Sequence, residues 1–125
     1  MNTRTGLLAL ILAMCISTAL AGEADVENVK ILPNGSNSWT FQVTVRHADE
    51  GWDHYADRWE ILAPHGKILS TRVLAHPHVN EQPFTRSLSG TTIPDNITST
   101  TIRAHDKVHG YGGKTITLPW PPADK

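Results

Sequence analysis

Seven histidines stand among the 125 residues of this chain, and all of them lie beyond residue 21. Of six of them, His47 and His105 close expected strands, His76 and His78 follow one, and His54 and His109 lie in loops. Imidazole is the commonest side-chain metal ligand and is largely neutral at pH 7, so converging rings make a ready site for iron, copper or zinc. In His76-Pro77-His78 an extended backbone directs both rings to one face, and Pro77 fixes its own φ, which lowers the cost of ordering a two-ring clip. In His105-Asp106-Lys107-Val108-His109 a strand end folds into a tight loop that returns a second ring towards the first. Gly110, Gly112 and Gly113 supply either close backbone approach there or plain turn chemistry. Asp49, Glu50, Asp53 and Asp57 surround His54 as partners for ring N–H groups or, for most of them, as the solvated face of a loop. Taken singly, each histidine has an ordinary surface role; together the six point to a shared metal or catalytic site.

The elements that must position these rings are strands. Trp39, Phe41, Val43 and Val45 alternate with Thr40, Gln42, Thr44 and Arg46, the period of a half-buried strand at the centre of a sheet. Val26 to Leu32 reads as an edge strand closed by a Pro33-Asn34-Gly35 turn. Trp59 to Leu62 and Ile68 to Ala75 form a hairpin around Pro64-His65-Gly66. Phe84 to Leu88, Thr98 to His105 and Thr115 to Leu118 complete seven short strands, with no helical period between them. The pattern predicts an all-β fold, an immunoglobulin-like antiparallel β-sandwich of about seven strands. Trp39, Phe41, Trp59, Ile61, Ile102 and Leu118 are its expected core. Strand direction followed through such a sandwich puts the six histidines at one pole and His65 at the other.

Arg4, the apolar run from Gly6 to Leu20 and the small-residue site Ala19-Leu20-Ala21 have the layout of a secretory signal peptide. Cleavage is expected before Gly22, leaving one domain over residues 22–125 in the periplasm or secreted. The run is too short for a membrane span of roughly 20 residues, so no span is expected. Cys15, the one cysteine, lies inside the run, and Met14 before it disfavours lipidation. Residues 22–125 therefore contain no thiol, which excludes disulfides, thiolate metal ligation, iron–sulfur clusters and a cysteine nucleophile there. Arg4 is the one charged residue removed, so the formal net charge moves from −1 to −2, and nothing points to nucleic acid or an anionic membrane as partner. Ser87 and Ser89 sit in an expected strand without a nucleophile-elbow pattern, which argues against an acyl-transfer hydrolase.

His47, a six-residue gap, His54-Tyr55, Trp59-Glu60-Ile61 and, much later, His105-Asp106-Lys107-Val108-His109-Gly110 resemble the iron-binding domain of superoxide reductases, the desulfoferrodoxin and neelaredoxin family. That family has an immunoglobulin-like sandwich with paired histidines, a Trp-Ile-Glu-Leu segment and a late Cys-Asn-x-His-Gly motif. Its four histidines bind ferrous iron in a plane, with the cysteine as axial ligand opposite an open position. The resemblance spans roughly residues 40 to 118 and implies that His47 and His54 match the paired histidines and that His109-Gly110 match the last His-Gly. The first gap is one residue longer here, no histidine precedes His47, and the axial cysteine is absent, with His105 standing near its place. His76 and His78 could supply the missing rings.

Two functions are therefore expected to compete. In one, the protein is a secreted or periplasmic metal-binding protein of superoxide-reductase-like fold. Its ligands are His47, His54, His105 and His109 with His76 or His78, holding iron by resemblance, or copper or zinc. If redox-active, it reduces a small anionic oxidant attracted by Lys107 or Lys67, or exchanges electrons with a redox partner. In the other, the sandwich end presents Trp52, Tyr55, Tyr111 and the histidines to a protein or glycan partner without catalysis. A third use of clustered imidazoles is pH sensing, through mutual repulsion once protonated. An exposed sandwich edge could also pair two copies as a homo-oligomer.

Overall fold

A computed structural model describes residues 22–122; the expected signal segment, with Arg4 and Cys15, lies outside the described residues. Alternation divides each strand into two faces. In β2 (Ser38–Arg46) Phe41, Val43 and Val45 are fully buried, while Gln42 and Thr44 between them are half-exposed. In β6 (Ser99–Asp106) Thr100, Ile102, Ala104 and Asp106 point inward, and Thr101, Arg103 and His105 face out. The remaining strands are β1 (Asp25–Gly35), β3 (Ala56–Leu62), β4 (Ile68–Val73), β5 (Phe84–Thr91) and β7 (Ile116–Pro119). They form two antiparallel sheets, β1-β2-β5 and β4-β3-β6-β7, with no helix among the described residues. The architecture is the immunoglobulin-like β-sandwich that the strand pattern predicts.

Between the sheets lie Val26, Phe41, Val43, Val45 and Phe84 from one side and Ala56, Trp59, Ile61, Ile102 and Ala104 from the other. With no disulfide available, this apolar layer carries the cohesion. Leu118 departs from expectation: β7 is an edge strand, and Leu118 is half-exposed in a groove beside Val29 and Ile31. Trp39 is only partly buried and packs edge-on against Trp120, which stacks parallel to Phe41 with centroids 6.0 Å apart. The expected turn at Pro33-Asn34-Gly35 also falls later, because pairing continues until Gly35 faces Ser38.

Register brings the functional pole together. Arg46 at the end of β2 pairs with Asp25, Val45 with Phe84, Ala56 with Asp106 and Arg58 with Val73. The ends of β2, β4 and β6 and the starts of β1, β3 and β5 thus meet at one end of the sandwich. The loop after β6 is tied down at its far side, where Lys114 N–H donates to Asp25 Oδ1 at 2.7 Å and Val26 N–H to Lys114 O at 2.8 Å. Gly113 is required there, since a Cβ on it would fall 2.0 Å from the Ala24 carbonyl oxygen.

Tyr111, from the same loop, folds over the outer face of β3 and β6. Its hydroxyl donates to Glu60 Oε2 at 2.8 Å, and Arg58 and Arg103 each donate Nε–H to the Glu60 carboxylate at 2.8 Å. Arg103 also stacks over the Tyr111 ring at 3.7 Å. Burial alone would raise the Glu60 pKa, but the donors from Arg58, Arg103 and Tyr111 outweigh it and hold the carboxyl below its ordinary value. The stabilisation from Glu60 is therefore complete above its ordinary pKa of 4.5 and is lost as pH falls through the lowered folded-state value. Glu60→Gln is expected to cost about 1–3 kcal/mol at pH 7. It should also flatten the acid limb of stability measured by urea unfolding between pH 7 and pH 3.

Candidate metal centre

The centre is built from two loops, each folded around an aspartate. In the loop between β2 and β3, Asp49 is buried and accepts three hydrogen bonds. Its Oδ1 lies 2.6 Å from His47 Nδ1 and takes the Ala56 N–H at 3.0 Å, while Oδ2 takes the His78 N–H at 2.7 Å. Gln82 adds a second tie, accepting the His47 N–H at 2.9 Å and donating to the His78 carbonyl at 2.9 Å. These contacts fix the His47 ring before any ligand arrives. Burial would raise the Asp49 pKa, but the His47 ring and the His78 and Ala56 N–H groups hold it below the usual carboxylate range.

In the loop after β6, Asp106 and Gly110 exchange backbone hydrogen bonds of 3.0 and 3.1 Å, and Gly110 closes the turn at φ 74°. Asp106 Oδ1 fills the turn, accepting N–H groups from Val108, His109 and Gly110. That leaves Oδ2 aimed at the rings. His47 Nε2 is 2.8 Å from it, His54 Nε2 3.0 Å and His109 Nδ1 3.0 Å. The two Nε2 atoms of His47 and His54 are 3.3 Å apart. The Asp106 and His47 side chains are fully buried, that of His54 is 11% exposed and that of His109 34%, so the cluster opens to solvent on the His109 side.

This arrangement has a proton problem. An ionised carboxylate only accepts, so both nitrogens of His47, one facing Asp49 and one facing Asp106, must carry hydrogen. Burial alone would lower the His47 pKa, but hydrogen bonds to the two aspartates and their charges raise it above 6.5. Burial likewise favours protonated Asp106, yet the ring and backbone N–H of His109 and the His54 and His47 rings hold it far below the carboxylate range. Three ring N–H groups then face one oxygen, with the nearest two nitrogens in contact. A divalent cation would resolve the crowding, because it attracts the donor atoms of His47, His54 and Asp106 at once; His109 Nδ1 touches Asp106 Oδ2 but stands outside that close group. Ligand atoms of His47, His54 and Asp106 all lie within 4.8 Å of one another. Donors about 2.0–2.2 Å from a tetrahedral ion stand about 3.3–3.6 Å apart; the separations here, 2.8, 3.0 and 3.3 Å, are those of hydrogen bonds, so the three donors need to spread by about half an ångström to take an ion. The donor set fits a metal ion.

Of the six expected ligands, His47, His54 and His109 come together. His76 and His78 reach the same pole but lie beyond the other oxygen of Asp49, with His78 Nδ1 4.0 Å from Oδ2. His105 faces the outer surface of β6, where its Nδ1 is 2.6 Å from Asp57 Oδ1, so it does not join the cluster. The residue that does is Asp106, which sequence reasoning passed over as part of a turn. Two signals pointed to it: it continues the inward parity of Thr100, Ile102 and Ala104, and it stands three residues before His109, where the Cys-Asn-x-His-Gly motif carries cysteine. Asp49, similarly, is a buried partner of His47 and not a solvated acid. Lys107 stays near the pole, 5.7 Å from the Tyr55 ring, but Lys67 belongs to the β3–β4 turn at the opposite end. Of the expected binding aromatics, Trp52 is exposed, Tyr55 is buried and Tyr111 covers Glu60.

The site thus defines an immunoglobulin-like sandwich with a buried His/Asp cluster between two loops of one pole. No protein-family model matches the chain, and no solved structure matches it. A protein of Halomicrobium mukohataei named "Putative lipoprotein" is 38% identical over 96 residues, which is 77% of this chain and 47% of the relative. The chain therefore spans about half the length of that relative. Among the described residues no helix is long and apolar enough to cross a membrane.

The different roles of neighbours Asp106 and His105 can be separated in metal-free protein. Asp106→Asn takes the acceptor away from the rings and is expected to cost about 2–4 kcal/mol. His105→Ala breaks only a partly exposed pair and should cost about 1 kcal/mol or less. Chemical denaturation in the presence of chelator measures both.

Proposed function

We propose that this is an extracytoplasmic metal-binding protein whose ion is held at the pole by His47, His54, His109 and Asp106. The observation that carries the reading is the convergence of three imidazole nitrogens on one oxygen of a buried carboxylate. Imidazole with carboxylate, and no thiolate in residues 22–125, suits iron, copper or zinc. Placement outside the cytoplasm is supported by the signal-like segment before Gly22 and by the name of the Halomicrobium relative.

Each protein group has a part in this reading. With the ion present, His47 needs only one proton, which Nδ1 donates to Asp49; that carboxylate orients the ring and raises its basicity. Asp49 and Asp106 together balance the charge of a divalent ion within the buried layer. His54 and His109 form the accessible side, where a small molecule could approach. A redox-active ion here would supply one electron to a small oxidant. Superoxide reduction is the finer form of the proposal, and it rests on the sandwich, on His47, His54 and His109, and on Asp106 standing in the motif position of the axial cysteine.

Metal analysis of protein purified without an affinity tag and then desalted is expected to give about one tightly bound equivalent of iron, copper or zinc, which is lost in His54→Ala/His109→Ala. Asp49→Asn should weaken binding about 10–100-fold. If wild type, reconstituted with each of the three ions, holds no more metal than His54→Ala/His109→Ala, the reading is overturned. Iron-loaded protein that fails to consume superoxide removes the finer form alone. Trp52, 64% exposed at the same pole, favours a second reading in which the loops dock a protein or glycan. That reading requires a metal-free protein whose partner binding is lost in Trp52→Ala.

A further inference from the structure

His78 is the anomaly of the molecule. Its side chain is 3% exposed, yet neither ring nitrogen has a hydrogen-bond partner among the described residues. A neutral imidazole always carries one N–H, and leaving a buried donor unpaired costs about 1–3 kcal/mol. Native proteins rarely keep such a group unless an ion or water satisfies it. The backbone around it is not loose: Asp49 and Gln82 hold the His78 N–H and carbonyl. The ring itself stacks on Phe84, with centroids 4.1 Å apart and planes 9° apart. The segment is thus bolted in place while its polar atoms are left without partners.

The second ring is beside it. His76 lies across Pro77 with its centroid 4.6 Å from that of His78 and the planes tilted by 35°. His76 is exposed and uses Nδ1 on the Pro77 carbonyl, which leaves Nε2 uncommitted. Negative charge is at hand in Asp49 Oδ2, 4.0 Å from His78 Nδ1, and the nearest cation, Arg86, is paired with Glu81 at 3.0 Å. Burial, with Arg86 and His76 nearby, lowers the His78 pKa and keeps the ring in its neutral, ligand-competent form.

We propose that His76 and His78 form a second cation site, separate from the pole cluster, for an imidazole-preferring divalent ion such as Zn(II). The buried ring supplies a fixed donor, the exposed ring a mobile one that admits the ion from solvent, and Asp49 the compensating charge. With two imidazoles in place of three and a carboxylate, this site binds more weakly than the pole. Its existence does not depend on the pole being a metal centre.

The test is Zn(II) titration of the full-length protein by calorimetry, with the imidazole nitrogen resonances followed by NMR. In His54→Ala/His109→Ala one equivalent of Zn(II) is expected to remain, with the His78 resonances shifted on binding. Adding His76→Ala, a change at an exposed position, should abolish both. In the wild-type background His76→Ala should remove one of two equivalents. If the pole is no metal site, wild type and the pole variant bind the same single equivalent, and the second site stands. The proposal is overturned if the pole variant binds no Zn(II), if its binding survives His76→Ala, or if the His78 resonances do not move.

Discussion

A carboxylate with no solvent exposure must find charge-assisted partners for both oxygens, and Asp106 organises the pole around that requirement. One oxygen is met by three backbone N–H groups, which is what bends residues 106–110 into a closed turn. The other draws in three imidazoles from two loops. Without a buried anion at this point the Val108 and His109 N–H groups would lose their acceptor, and the rings of His47, His54 and His109 their common target. The same residue is therefore both a turn-former and the shared partner of all three rings.

The sandwich makes that burial possible. Strand parity delivers Asp106 to the inner face at the last residue of β6, directly opposite Ala56, where a small side chain leaves room. Asp49 performs the matching task on the other loop, joining His47, Ala56 and His78. The outer face contributes through Tyr111, whose bond to buried Glu60 fixes the loop just beyond His109, and through the contact of Gly113 with Ala24. Each tie lies outside the cluster, yet each removes conformational freedom from a ligand-bearing loop, and that freedom would otherwise oppose ion binding.

Most of the fold was legible because two-residue alternation is strong in β2 and β6 and because turn residues separate the strands. The gathering of His47, His54 and His109 followed from strand direction alone. The phase of β6 was present in the alternation of Thr100, Ile102 and Ala104, but it had to be carried one step past the apolar run to reach Asp106. A one-residue step reverses the face on which a side chain lies, so His105 and Asp106 exchange roles although they are neighbours. The same limit applies to Asp49: acidic residues in a charged loop look solvated until the backbone N–H groups that would be left unpaired are identified. His76 and His78 were placed at the correct pole, but the intervening Asp49 carboxylate, which keeps them apart from His47, is a matter of packing that no spacing rule reveals.

The exchange of a thiolate for a carboxylate also bears on chemistry. A thiolate is soft and donates electron density to an ion, whereas Asp106 is a harder ligand whose other oxygen already shares its charge with the turn. An ion bound on this donor set, as proposed, would be less electron-rich and more strongly Lewis acidic than one opposite sulfur. The site also lies beside a second carboxylate, Asp49, whose hydrogen bond to His47 Nδ1 would make that ring a better donor. On the proposed reading the two aspartates would divide the work that one cysteine does in the resembling family: Asp106 would supply the anionic ligand and Asp49 the electronic push, relayed through an imidazole. Because both are anchored by backbone N–H groups, neither can move without disturbing a loop, so the arrangement of the donors is set by the fold.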